Sequence, residues 1–241
     1  MSKKQVLPAL CALLLCRSLL AAEPSWMIPL RDAVYAQNLS MDRVLALYNE
    51  TKTGARSRLS GQGLYLALSR CEYFLGRAYQ DNGRKKEAIA SYDAGIDLAK
   101  KAQALAPTAE GYLLLSLAIG QNCMIRSTPW VMANGLKVED NAKKTLALDP
   151  GNVLALYQVA ARYAFGPMPF GDYPRGVTMM KQILTDHEQT MQKNELFDVC
   201  SAIAYAYLQD KKPGEARPWL DRAQSCYPTN KFVQGLIRDN Y

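Results

Sequence analysis

The chain has 241 residues, with 29 lysines and arginines against 22 aspartates and glutamates, and a formal charge of +7. An apolar share of 49% excludes a disordered chain, and the length suits one domain or one continuous array that buries a sizeable core. Lys3, Lys4 and Arg17 carry three of the positive charges within residues 1–22, and the +4 left to the remainder argues against a nucleic-acid partner, which needs a clustered basic face.

Residues 1–22 read as a secretory signal. Lys3 and Lys4 form a charged start, Val6 to Cys16 an apolar run, and Ala21-Ala22 a small-residue cleavage point before Glu23. The run is too short for a bilayer span, which takes about 20 apolar residues. Lipid attachment at Cys16 is the rival reading, because Leu13-Leu14-Leu15-Cys16 is shaped like a lipobox, with Leu15 in place of the usual small residue. The expected mature chain is therefore periplasmic or secreted. It keeps Cys71, Cys123, Cys200 and Cys226, spaced too widely for a compact disulfide framework and expected to act as small apolar residues.

Residues 23–56 are expected to form a helical pair. Ser40 caps a helix from Met41 to Thr51, whose apolar face is Val44, Leu45, Leu47 and Tyr48. Residues 57–230 then read as four helical hairpins. The first opens with a long helix from Ser60 to Gln80 and carries Leu75, Gly76, Tyr79, Ala88 and Tyr92, its second helix continuing through Asp97 to Ala106. The next holds Tyr112, Leu115, Ser116 and Ile119, followed by an insertion from Gln121 to Lys137 with Arg126, Pro129, Trp130 and Gly135. In the third, Leu156, Val159, Ala160 and Tyr163 precede Phe165-Gly-Pro-Met-Pro-Phe-Gly171, too rich in proline and glycine for a helix. A helix from Val177 to His187 follows, with Gly176, Met180 and Ile183 spaced along it. The last holds Ile203, Ala204, Tyr207, Ala216, Leu220, Ala223 and Pro228, and residues 231–241 form a capping helix. About ten helices and no convincing strand make the fold all-α.

The recurring apolar, small and aromatic positions match the tetratricopeptide pattern. Small residues such as Ala204 and Ala216 let two antiparallel helices approach, and Tyr207 and Leu220 fill the groove to neighbouring helices. With Leu75, Leu115, Val159 and Ile203 as markers, the steps are 40, 44 and 44 residues, longer than the standard step of about 34. The expected architecture is thus a helical-hairpin solenoid with long insertions between helices. If Ala204 lies level with Ala216, Cys200 and Cys226 are about 9 Å out of register. That exceeds the roughly 7 Å reach of a disulfide between Cα atoms.

The positions two before and two after each marker should face the concave side. They hold Tyr73 and Arg77, Leu113 and Leu117, Tyr157 and Ala161, and Ser201 and Tyr205, with Phe165 bordering them. Such an aromatic and apolar lining suits an apolar small molecule or an extended hydrophobic peptide. The competing expectation is that the insertions cover this face and its residues form core. Trp130 and Phe170 are the candidates on the insertions; Trp130 and Phe165 either gate a cavity or anchor the loops to the stack.

Nothing in the pattern points to an enzyme. Asp186-His187-Glu188 reads as a polar helix end, since adjacent residues on a helix do not share a face, and His187 is the chain's single histidine. No metal-ligand spacing occurs. Gly61-Gln62-Gly63 lacks both the third glycine and the preceding strand of a dinucleotide loop. No cofactor is expected.

Leu105-Ala-Pro-Thr-Ala-Glu-Gly-Tyr112-Leu-Leu-Leu115 through Leu148-Asp-Pro150, together with Phe165-Gly-Pro-Met-Pro-Phe-Gly-Asp172, resembles the TatT family of bacterial periplasmic tetratricopeptide proteins associated with TRAP transporters. The regulator-of-microtubule-dynamics proteins share this layout. The resemblance covers roughly residues 60–230. It implies a cell-envelope scaffold working beside a periplasmic solute-binding protein and an integral permease, and homo-oligomers of the kind TatT relatives form. A general envelope assembly or chaperone-like protein, holding clients in the groove, is the alternative expectation.

Overall fold

The computed structural model describes residues 23–166 and 171–241. The expected export signal, Cys16 and Phe170 lie outside the described residues. Among the described residues the regular structure is entirely helical, as expected, with twelve α-helices where about ten are read from the sequence.

A short helix α1 (Ile28–Ala36) leads into α2 (Met41–Arg58). Four hairpins follow: α3 (Gly61–Asp81) with α4 (Lys85–Leu105), α5 (Ala109–Ile125) with α7 (Leu136–Leu148), α8 (Val153–Phe165) with α9 (Tyr173–His187), and α10 (Lys193–Gln209) with α11 (Pro213–Cys226). Helix α6 (Thr128–Asn134) interrupts the second hairpin, and α12 (Lys231–Asn240) ends the chain. The stack grows by contact of each helix with the next, and α3, α5, α8 and α10 form the inner layer, each touching the one after it.

Local chemistry explains the boundaries. Polar side chains cap the helix starts: Ser40 accepts from the Arg43 N–H, Thr108 from Gly111, Asn152 from Ala155 and Asp172 from Arg175. Each satisfies a donor that a helix start leaves open. The Asp172 cap, with Pro174 in the first turn, starts α9 at Tyr173 rather than at Val177. Helix α2 runs to Arg58, past both the expected Thr51 and the boundary at 56, because Ala55 is buried on its inner face and extends the packing stripe. The expected Gln121–Lys137 insertion is shorter than read: residues 121–125 continue α5 and residues 136–137 begin α7. Between them the chain coils into α6 with Pro129 in its first turn, and Gly135 keeps right-handed helical geometry into α7.

The small residues act as the repeat pattern requires. Ala88, Ala204 and Ala216 are fully buried where the helices of a hairpin meet. A Cβ on Gly76 would lie 2.5 Å from the ring of Tyr92, itself fully buried on α4. At Gly176 the neighbour is backbone: a Cβ would stand 2.8 Å from the Ala164 nitrogen, so α8 and α9 touch main chain to main chain. Gly176→Ala must push the two helices apart, and a loss of about 1–3 kcal/mol is expected from the urea unfolding midpoint. Gly63→Ala, whose Cβ would meet only Leu59 at 3.9 Å, should instead be neutral or stabilising by up to about 1 kcal/mol.

Candidate functional site

The inner layer does not enclose an open groove. Helix α1 lies across it and joins the first unit to the last. Leu30 and Val34 are buried in the main core, along with Tyr73 and Leu117 of the inner layer and Tyr227 and Val233 near the C-terminus. The ring of Tyr35 stacks on Tyr227 at 5.3 Å and meets Phe197 edge-on at 5.7 Å, while the Arg77 guanidinium sits 4.3 Å above it. The Tyr35 hydroxyl donates to Asp198 Oδ2 at 2.6 Å, and Asp198 Oδ1 lies 4.0 Å from Arg77 Nη1. A carboxylate, a guanidinium and a phenol thus meet at one buried point.

The two ends of α1 are held differently. At its start, Arg31 Nη1 donates to Glu23 at 2.7 Å and to Gln192 Oε1 at 2.5 Å. At its end, the last carbonyls are received by the far end of the chain: Asn230 Nδ2 donates to the Tyr35 carbonyl at 2.7 Å and the Thr229 hydroxyl to the Ala36 carbonyl at 2.6 Å. The Tyr227 hydroxyl donates to Asp32 at 2.8 Å. The bonds from Asn230 and Thr229 satisfy carbonyls that a helix C-terminus leaves open.

The residues read as groove lining fall into two groups. Tyr73, Leu113, Leu117 and Ser201 are buried as core, and Arg77 and Tyr157 close around Asp198, whose charge also bears on Tyr157. Farther along, Phe165 stacks on Tyr205 at 5.0 Å, Tyr205 faces Phe232 at 6.2 Å, and Ala161 and Phe165 pack against one core cluster that holds Val177, Met180 and Ile203. Trp130, on α6, joins neither group; it lies under Arg126 at 4.8 Å and packs against the cluster that holds Ile96, Leu114 and Ile119, so it anchors the insertion. Among the described residues, the cover over the inner face is supplied by α1.

The residues that hold α1 escaped the two-position rule. One helical turn before Tyr73, Leu113, Tyr157 and Ser201 stand Arg70, Glu110, Leu154 and Asp198, and carrying the inner stripe back by that turn would have found them. Arg70 Nη2 pairs with Glu110 at 3.0 Å. Near the start of α1 a cavity of about 30 Å³ remains, lined by Glu23, Arg70, Leu154, Gln192, Asn194 and Glu195 among others. It has room for one or two waters and is too small for the apolar small molecule that the lining suggested. Asn194 Oδ1 is buried there with no hydrogen-bond partner among the described residues.

Thiol chemistry is disfavoured. Burial pushes Cys71 and Cys200 up to about 12 and raises Cys123 and Cys226, so none offers the thiolate that a nucleophile needs. All four are free thiols. Among the described residues no group of three or more His, Cys, Asp or Glu is placed to hold a metal ion, and no helix is long and apolar enough to cross a membrane.

Burial raises the Asp198 carboxyl from the ordinary 3.8 to about 6, against the opposing pull of Arg77 and the Tyr35 hydroxyl. The native state then keeps a proton that the unfolded state has released, so stability falls as pH rises from about 4 to about 6. Glu23, Asp81 and Glu195 are raised by burial in the same sense. The melting temperature at pH 5 should exceed that at pH 7 by about 2–4 °C, equivalent to about 1 kcal/mol for Asp198. Scanning calorimetry of Asp198→Asn should show a flatter pH profile.

Residues 73–101 match the tetratricopeptide repeat profile. No curated protein sequence matches the chain. Among solved structures it is similar to TTC0263, a thermophilic TPR protein of Thermus thermophilus, at 17% identity, with 90% of this chain and 98% of that one covered and a TM-score of 0.57. YrrB, described as a TPR protein with an unusual peptide-binding site, matches at 12% identity over 88% of this chain and 90% of its own, with a TM-score of 0.39. The chain is an all-α array of tetratricopeptide-like helical hairpins, and its first full hairpin carries the repeat in its sequence.

Proposed function

We propose that the chain is an exported, non-catalytic scaffold that binds a protein partner and works beside a TRAP-type solute transporter. The observation that carries the binding half is that the inner face of the array already holds a polypeptide helix, through side chains placed at both of its ends. The envelope half is supported by Lys3, Lys4 and the apolar run from Val6 to Cys16, and by the TatT-like spacing and Phe165-Gly166 loop.

A second reading, a general envelope assembly factor, is favoured by one surface feature. Met132, Leu136 and Met124 on and beside α6 are 80%, 74% and 63% exposed, and flexible methionine-rich surfaces adapt to many clients. Affinity capture from an envelope extract separates the two. Recovery of a TRAP solute-binding protein or permease is the expected result; a mixture of unrelated unfolded envelope proteins favours the second reading, and recovery of neither class discards both. Intact mass of the purified mature chain, expected to start at Glu23, tests export independently.

A further inference from the structure

We infer that the inner groove is a binding site for an amphipathic helix carrying Arg and, one turn later, Tyr, and that α1 is a built-in occupant which such a partner helix displaces. The inference deepens the protein-binding reading above and rests on it.

The groove recognises α1 in two ways. The first is by side chain. Arg31 and Tyr35 are four residues apart and share one face; Gln192 receives the first, and Asp198, Arg77 and Phe197 enclose the second. Leu30 and Val34 form the adjoining stripe, both buried. The second way is independent of sequence. Asn230, itself 1% exposed, and Thr229 donate to the open carbonyls at the end of α1, and any helix of the same length would present those carbonyls in the same place.

The occupant is poorly suited to permanence. At nine residues it is shorter than the roughly 12–15 that an isolated helix needs, so it holds its form only while docked. Residues 37–40 connect it to α2, with Gln37 in the left-handed region at φ 54°, a conformation that a side chain favours little. Its fit is also incomplete. At the Arg31 end, the cavity of about 30 Å³ leaves Asn194 Oδ1 unmet, and a buried acceptor without a donor is unfavourable. A partner helix that reaches this cavity with a lysine or asparagine side chain gains a contact to Asn194 that α1 does not make.

The probe is a fluorescent synthetic peptide of residues 24–38, titrated by anisotropy into the full-length chain. Into Tyr35→Ala, whose own helix is loosened, the peptide should bind at least ten-fold more tightly than into the wild type. Peptides with Arg31→Ala or Tyr35→Phe should lose most of that gain. Arg31→Ala in the full chain serves as the second host if Tyr35→Ala does not melt cooperatively. A folded variant that binds the peptide no better than wild type overturns the inference. Hydrogen exchange on the unmodified chain is a further arm: amides of α1 exchanging well before those of α3 and α10 support release, and exchange only with global unfolding overturns it. Because these assays use purified chain and peptide alone, their failure is distinct from a failed envelope capture.

Discussion

The contact between Tyr35 and Asp198 joins residues 163 apart in sequence, and the closed form of the array depends on it. Tetratricopeptide units touch their neighbours in series, so nothing in the repeat itself ties the first to the last. Helix α1 supplies that tie. Its tyrosine is gripped on one side by the first hairpin through Arg77 and on the other by the last through Asp198, Phe197 and Tyr227. An apolar residue at 35 could fill the space but would leave the Asp198 carboxyl without its donor.

The interior around α1 is unusually charged for a core. Glu23, Arg31, Arg70, Arg77 and Asp198 all approach it, and these charges are paired: Arg31 with Glu23, Arg70 with Glu110, Arg77 with Asp198. Glu195 instead accepts from the Gln192 backbone N–H. Buried ion pairs contribute little net stability, since desolvation offsets most of the attraction. They do constrain geometry. A helix docked with its arginine displaced by one residue would bury that charge away from Gln192 and Glu23, so the polar contacts fix the register while Leu30 and Val34 supply the apolar burial.

The fold was legible where its determinants are local. Marker residues such as Leu75-Gly76 with Tyr79, Ala88 and Tyr92 encode a hairpin because the contacts they make lie within one unit, and Gly76 against Tyr92 is such a contact. The inner stripe was legible as a stripe, and Tyr73, Arg77 and Tyr157 do converge. What covers the stripe was not, because α1 binds it through pairs separated by most of the chain length, which no local period records. Ser40 announced the start of α2 as an N-cap, but its end at Arg58 was set by where Ala55 finds a neighbour. Helix α6 was hidden by its proline and glycine, which read as loop and in the structure serve as helix start and helix joint.

The bonds from Thr229 and Asn230 to the end of α1 have a kinetic meaning. A chain that emerges N-terminus first exposes α1 before any of the residues that receive it exist in folded form. The hairpins can assemble in order, each on its predecessor, as local contacts allow. Helix α1 must wait for Thr229 and Asn230 before it can settle, so a segment made early is the one whose docking completes the native structure. Any factor that meets the chain during that interval finds the inner face uncovered, whatever the finished molecule later conceals.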